Sequence, residues 1–126
     1  MSANDKQFGG AHYKGVDYQH WDFVHDAGLR YHDGNATKYL ARWRKKNGVQ
    51  DLEKAGHYLE KCIELGLQPV GYSGRTTELA IERFVLTNKV PAQEAEAIGM
   101  ICRGQYRGAA EIVAALLREA KEPGLA

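Results

Sequence analysis

Ala109, Ile112, Val113, Leu116, Leu117 and Ala120 recur at i, i+3, i+4, i+7, i+8 and i+11, the spacing that one face of an α-helix repeats. The same period runs through Leu52, Ala55, Leu59, Cys62 and Ile63. No stretch alternates convincingly with period two, the mark of a half-buried strand. The pattern predicts an all-α protein. Helix breakers fall where such segments should end. A first helix is expected from about Asp17 to Ala27, closed by Gly28, with Trp21, Phe23 and Val24 on its apolar side. A second is expected over about 35–46, with Asp33 as N-cap and Asn47-Gly48 as terminator. A third runs from about Gln50 to Leu65 and stops at Gly66. The short turn between the second and third predicts a helix hairpin.

Beyond it, GLQPVGYSGRT at 66–76 carries a proline and three glycines and reads as a linker. Three more helices are expected: Thr77 to Thr87, Pro91 to Ile101 with Pro91 at the first helical position, and 107 to about 121. The organisation read from this is an arm at 1–16, a helical domain at 17–66, a linker at 67–76 and a C-terminal helical segment at 77–126. Each half has too little surface to bury by itself. The halves should therefore pack on one another or on another copy, and the last stripe serves as internal core or as the seam of a homo-oligomer.

A chain that is 44% hydrophobic and 26% charged, with three prolines, is expected to fold rather than stay disordered. Its formal net charge of +1 gives no global pull toward nucleic acid or membrane, so any electrostatic attraction must be local. No apolar run reaches the length of a membrane span, and the polar start, MSANDKQFGG, lacks an apolar signal core. The expectation is a soluble cytoplasmic protein. Cys62 and Cys102 show no CxxC or Cys/His spacing and are expected as buried free thiols. His20, His25, His32 and His57 form no ligand set at fixed spacing, and no metal site is expected.

The local exception to neutrality is GNATKYLARWRKK at 34–46, with five cationic side chains and two aromatic rings, Tyr39 and Trp43. On a wheel of about 100° per residue, Ala36, Leu40 and Trp43 share one side. Asn35, Lys38, Arg42, Lys45 and Lys46 share another, Tyr39 lies on the border, and Arg44 points elsewhere. Like charges three or four residues apart cost a helix a few tenths of a kcal/mol per pair. Two readings stay open. Asp51 and Glu53 could neutralise a solvated face across the hairpin, or the face is an anion site. In the second case Arg supplies a planar fork for phosphate and Lys a point charge. Backbone donors near Gly34 and Asn35 would add to it. Asn35 could read a sugar hydroxyl or base edge, and Tyr39, Tyr58 or Tyr13 could stack on a base.

Read as motifs, the first half runs HYKG at 12–15, WDFVH at 21–25, GNATKYLARWRKK, then DLEKAGHYL at 51–59. Over about residues 11–65 this resembles a small phage-encoded family, long catalogued as a domain of unknown function and often labelled phage nucleotide kinases. Its pattern is HYK, GNxxKYLxRxxKK and DLxKAxxYL in that order. The resemblance implies a deoxynucleoside monophosphate kinase without the usual P-loop. The residues it implies are His12, Tyr13 and Lys14 on the arm, Asn35, Lys38, Tyr39, Arg42, Lys45 and Lys46 on the second helix, and Asp51, Lys54 and Tyr58 on the third. It assigns no catalytic residue. The absence of GxxxxGK[ST] agrees with a reaction resting on Lys and Arg clamps. No cofactor is fixed by the residues; ATP is the candidate phosphoryl donor, and a nucleotide the expected ligand.

The competing class is a binding protein that holds a nucleotide or cyclic nucleotide without turning it over. An all-α nucleotide pyrophosphohydrolase would need metal-binding carboxylates, and only Glu60 with Glu64 or Glu78 with Glu82 offers a pair. Residues 88–107 could be read as helix-turn-helix, but Glu94 and Glu96 and the few cations there argue against DNA. Arg103, Tyr106 and Arg107 surround a glycine-rich turn, read as surface.

Overall fold

A computed structural model of the chain describes residues 17–69 and 71–122. The described residues include six helices, and none of these residues is in a strand. They are α1 (His20–Ala27), α2 (Tyr31–Arg42), α3 (Val49–Leu65), α4 (Arg75–Thr87), α5 (Ala92–Cys102) and α6 (Tyr106–Lys121). The fold is all-α. No described helix is long and apolar enough to cross a membrane.

Most boundaries fall within two residues of expectation, because their causes are local. Gly28 and Gly66 both cap their helices with a left-handed backbone, φ 66° and 62°, which glycine adopts without a Cβ clash. Pro91 stands one position earlier than expected, as the N-cap of α5. The exceptions are the start of α1, three residues later than expected, and both ends of α2. Helix α2 begins at Tyr31, so Asp33 is its third residue and Arg30 its N-cap. The Asp33 carboxylate still serves the helix start, but from inside, by accepting from the Arg30 backbone N–H. It also accepts from the Arg30 side chain (Nη2, 3.1 Å) and from the Tyr106 hydroxyl (3.3 Å). A buried carboxylate needs such partners, and one of them comes from α6, which the order of residues near Asp33 does not reveal. At its other end α2 stops at Arg42. Residues 43–48 continue as turns closed by Lys45 N–H to Arg42 O (2.9 Å) and Gly48 N–H to Trp43 O (2.8 Å). Lys45 and Lys46 therefore lie after the helix, not on it.

Helices α2 and α3 pack as the expected hairpin, α3 lies on α6, α6 on α5, and α5 back on α2. These four contacts close a ring. Helices α1 and α4 pack on each other beside it, and α4 also touches α5. One hydrophobic core runs through both halves of the chain, from Phe23, Leu40, Leu52 and Leu59 to Phe84, Ile98, Val113 and Leu116. Ala36 and Leu40 of α2 and Trp43 just after it, the expected apolar side, are all in it. In the α6 stripe Ala109, Val113 and Leu116 are buried, Ile112 and Leu117 partly so, and Ala120 is exposed, so the stripe is core. Cys62 and Cys102 are free and buried, and burial pushes their thiols up to about 11 and about 12. Between α1 and α4 the rings of Phe23 and Phe84 stack at 4.6 Å, with His20 edge-on to Phe84 at 5.7 Å.

Candidate functional site

The second half of α2 and the turns after it face the α1–α4 pair across a cleft of about 160 Å³. Lys38, Ala41 and Arg42 line it from α2, and Lys45 and Lys46 from the turns. The opposite wall is Phe84, Thr87, Asn88 and Lys89, and His20 closes one side. Five of these side chains are cationic and none is a carboxylate. The protein thus gathers on one concave surface four residues read from the sequence as a basic face, although two of them have left the helix.

The cations have different surroundings. Arg42 donates from Nε to the Asp51 carboxylate at 3.2 Å, and Asp51 is fully buried. Asp51 also accepts from the Asn47 backbone and side chain, both at 3.3 Å, and lies 4.0 Å from Lys54. Its role is to hold Arg42 and the α2–α3 turn from below, so half of the cross-hairpin neutralisation read from the sequence is real. Glu53 instead faces Lys121 at 3.4 Å. Among the described residues, Lys38, Lys45, Lys46 and Lys89 have no carboxylate within 4 Å. Lys45 donates to the Asn88 carbonyl, at 3.4 Å.

Tyr39 lies beside the cleft, and its ring is occupied by cations. The Arg42 guanidinium is 4.7 Å from the centroid, Lys54 Nζ 5.3 Å and Lys38 Nζ 5.5 Å, all within cation–π range. Tyr58 stacks on it at 6.0 Å and 14°. Tyr39, Lys54 and Tyr58 belong to a second, more open hollow with Tyr31, His32, His57 and Lys61. The Tyr31 and Tyr58 hydroxyls meet at 3.4 Å, and that bond, more than burial, pushes Tyr58 up to about 12. Tyr31 is the open ring there, 68% exposed. Asn35 lines neither hollow; its side chain donates to the Tyr31 carbonyl at 2.7 Å. His12, Tyr13 and Lys14 lie outside the described residues.

Six lining residues were not read from the sequence as part of a site: His20, Ala41, Phe84, Thr87, Asn88 and Lys89. Lys89 carried one signal that only the fold exposes, a left-handed backbone at φ 53°, which a residue with a Cβ adopts at a cost of about 1 kcal/mol. Asn88 is fixed by donating to the Tyr18 and Phe84 carbonyls at 2.9 and 3.1 Å, which ties the α4 end to the segment just before α1. His20 Nε2 lies 2.8 Å from the Thr37 hydroxyl, which reaches the Gly34 carbonyl at 2.8 Å. Burial first, then Lys38 and Arg42, lower His20 to about 4, so the ring is neutral near pH 7.

The remaining candidates are structural. Arg103 pairs with Glu78 at 2.7 Å, Tyr106 is buried against Asp33, and Glu64 faces Lys61 at 3.3 Å. Arg44 reaches away from the cleft to buried Glu94 at 2.6 Å.

A family model described as a protein of unknown function (DUF3310) matches residues 9–60. The chain is similar to that family over α1, α2 and most of α3, a span holding every residue drawn from the HYK, GNxxKYL and DLxKA motifs. The wall from α4 and the following turn lies outside it. Comparison with curated proteins and with solved structures returned no match.

Proposed function

We propose that this chain binds a nucleotide by its phosphate in the cleft between α2 and the α4–α5 turn. The lining carries the reading: five cationic side chains and no carboxylate. Crowded like charges cost stability, and an arriving phosphate converts that cost into charge-assisted hydrogen bonds worth roughly 1.5–3 kcal/mol each. Size sets how the ligand sits. Sites that enclose whole small molecules usually offer about 300 Å³ or more, whereas this cleft offers about 160 Å³. The phosphate is therefore the part enclosed, and sugar and base lie toward the mouth.

The resemblance to phage nucleotide kinases supports phosphoryl transfer as the use made of that site. An oxygen of the bound monophosphate would attack the γ-phosphorus of ATP, forming a new P–O bond as the bond to ADP breaks. Lys and Arg would carry the charge that a P-loop handles elsewhere. A second reading, binding without turnover, is favoured by the small volume of the cleft, about 160 Å³.

A thermal-shift screen of nucleoside mono-, di- and triphosphates and cyclic dinucleotides tests the binding. Chromatography of each hit after incubation with ATP and Mg²⁺ tests the turnover. A stabilising monophosphate that becomes a diphosphate makes the protein a kinase, and a stabilising ligand recovered intact makes it a nucleotide-binding protein. No shift with any phosphate compound rejects the reading.

A further inference from the structure

His20 is tied at one nitrogen and turned to the cleft with the rest of its ring. Thr37 has one hydroxyl proton, and its 2.8 Å contact with the Gly34 carbonyl uses it. At the 2.8 Å contact with Thr37, His20 Nε2 must then be the donor, and the neutral ring keeps its lone pair on Nδ1. No hydrogen bond to Nδ1 is seen among the described residues; the ring also lies by the Gly34 backbone, and His20 lines the cleft, so Nδ1 is the nitrogen left for a ligand there. Around it stand Lys38 and Arg42 from α2, Lys45 and Lys46 after it, and Lys89 from the α4–α5 turn; α4 itself presents Phe84 and Thr87.

We infer that His20 belongs to the anion site and takes up a proton when a tetrahedral dianion enters, becoming a sixth cation around it. This rests on the phosphate cleft proposed above and adds its proton linkage. Burial first, then Lys38 and Arg42, oppose a charge on the ring. A bound dianion offsets both cations and offers an oxygen to Nδ1–H, so the protonated ring gains a partner beyond Thr37 and the Gly34 backbone. The ligand class is a phosphate monoester or another doubly charged tetrahedral anion. His20 is the imidazole that lines the cleft, the side-chain type that can link binding to pH over the range 5 to 8.

Sulfate is the decisive probe, since it remains a dianion over the whole range whereas a phosphate monoester titrates near about 6. The His20 ring should be followed by NMR from about pH 8 to 5, with and without saturating sulfate, and then with AMP. Sulfate should raise its titration point from about 4 toward the ordinary 6.5. Sulfate should also bind about tenfold tighter near pH 5 than near pH 8. In His20→Gln, whose amide can still donate to Thr37, that pH dependence should vanish. If sulfate or AMP perturbs Lys38 and Lys89 while His20 titrates unchanged, the proton linkage is wrong and the anion site stands. If neither ligand perturbs the cleft, both fall.

Discussion

Burial, Lys38 and Arg42 keep His20 uncharged, and the fold bears a cost for this in acid. Its titration point is about 4 in the folded protein against an ordinary 6.5, so between those values the unfolded chain holds a proton that the fold does not. The contribution to stability is complete above about pH 6.5 and is lost as pH falls toward about 4. At about 1.4 kcal/mol per pH unit, the loss between pH 7 and 5 is about 2 kcal/mol. His20→Gln should lose about that much less than the parent over the same interval, measured by urea unfolding at both pH values; equal losses would mean the ring is not held neutral. Lys89 offers a second residue-level test. Glycine at this position removes both the charge and the left-handed backbone cost, and its own entropy cost is roughly 0.5–1 kcal/mol. Lys89→Gly should keep stability within about 1 kcal/mol while weakening nucleotide binding about tenfold. Lost stability with unchanged binding would make Lys89 a structural residue only.

At the scale of elements, glycine caps that look alike in sequence differ in what surrounds them. Gly28 and Gly66 share a left-handed φ, but a Cβ on Gly66 meets nothing within 4 Å, whereas one on Gly28 would lie 2.7 Å from Gly71 Cα. Backbone cannot yield as a flexible side chain would. Gly66→Ala should cost about 1 kcal/mol for its backbone alone, and Gly28→Ala at least about 1 kcal/mol more, by chemical unfolding. Equal costs would contradict the close approach of the α1 cap to the chain at Gly71. The same contrast explains what could be read in advance. Helix ends set by glycine and stripes set by a 3.6-residue period depend on neighbours in sequence, and those segments were legible. The start of α2 was not, because Asp33 is held by Tyr106, a residue 73 positions away. Lys45 and Lys46 were legible as basic but not as post-helical.

Across the whole molecule, the N-terminal motifs and the C-terminal helices form one core and one cleft. Leu59 and Cys62 of α3 belong to the same cluster as Val113 and Leu116 of α6, and Lys38 and Arg42 face Asn88 and Lys89. The candidate site was half visible in sequence for this reason. The motif-bearing helix declares its charge locally, whereas His20 and the α4 wall reach the cleft only through the packing of α1 on α4. A chain ending at residue 66 would expose the apolar sides of α2 and α3 that α5 and α6 cover. It should show no cooperative thermal transition, and a sharp transition near that of the full chain would contradict the shared core. The central claim, that nucleotide phosphate sits among these cations, is tested most directly by calorimetric titration. Deoxynucleoside monophosphates should be titrated into the full chain and into Lys38→Gln, which removes a cleft charge that has no carboxylate partner among the described residues. The account predicts binding by the parent and a dissociation constant raised about tenfold or more in the folded variant. No binding by the parent, or the same constant in both proteins, would contradict it.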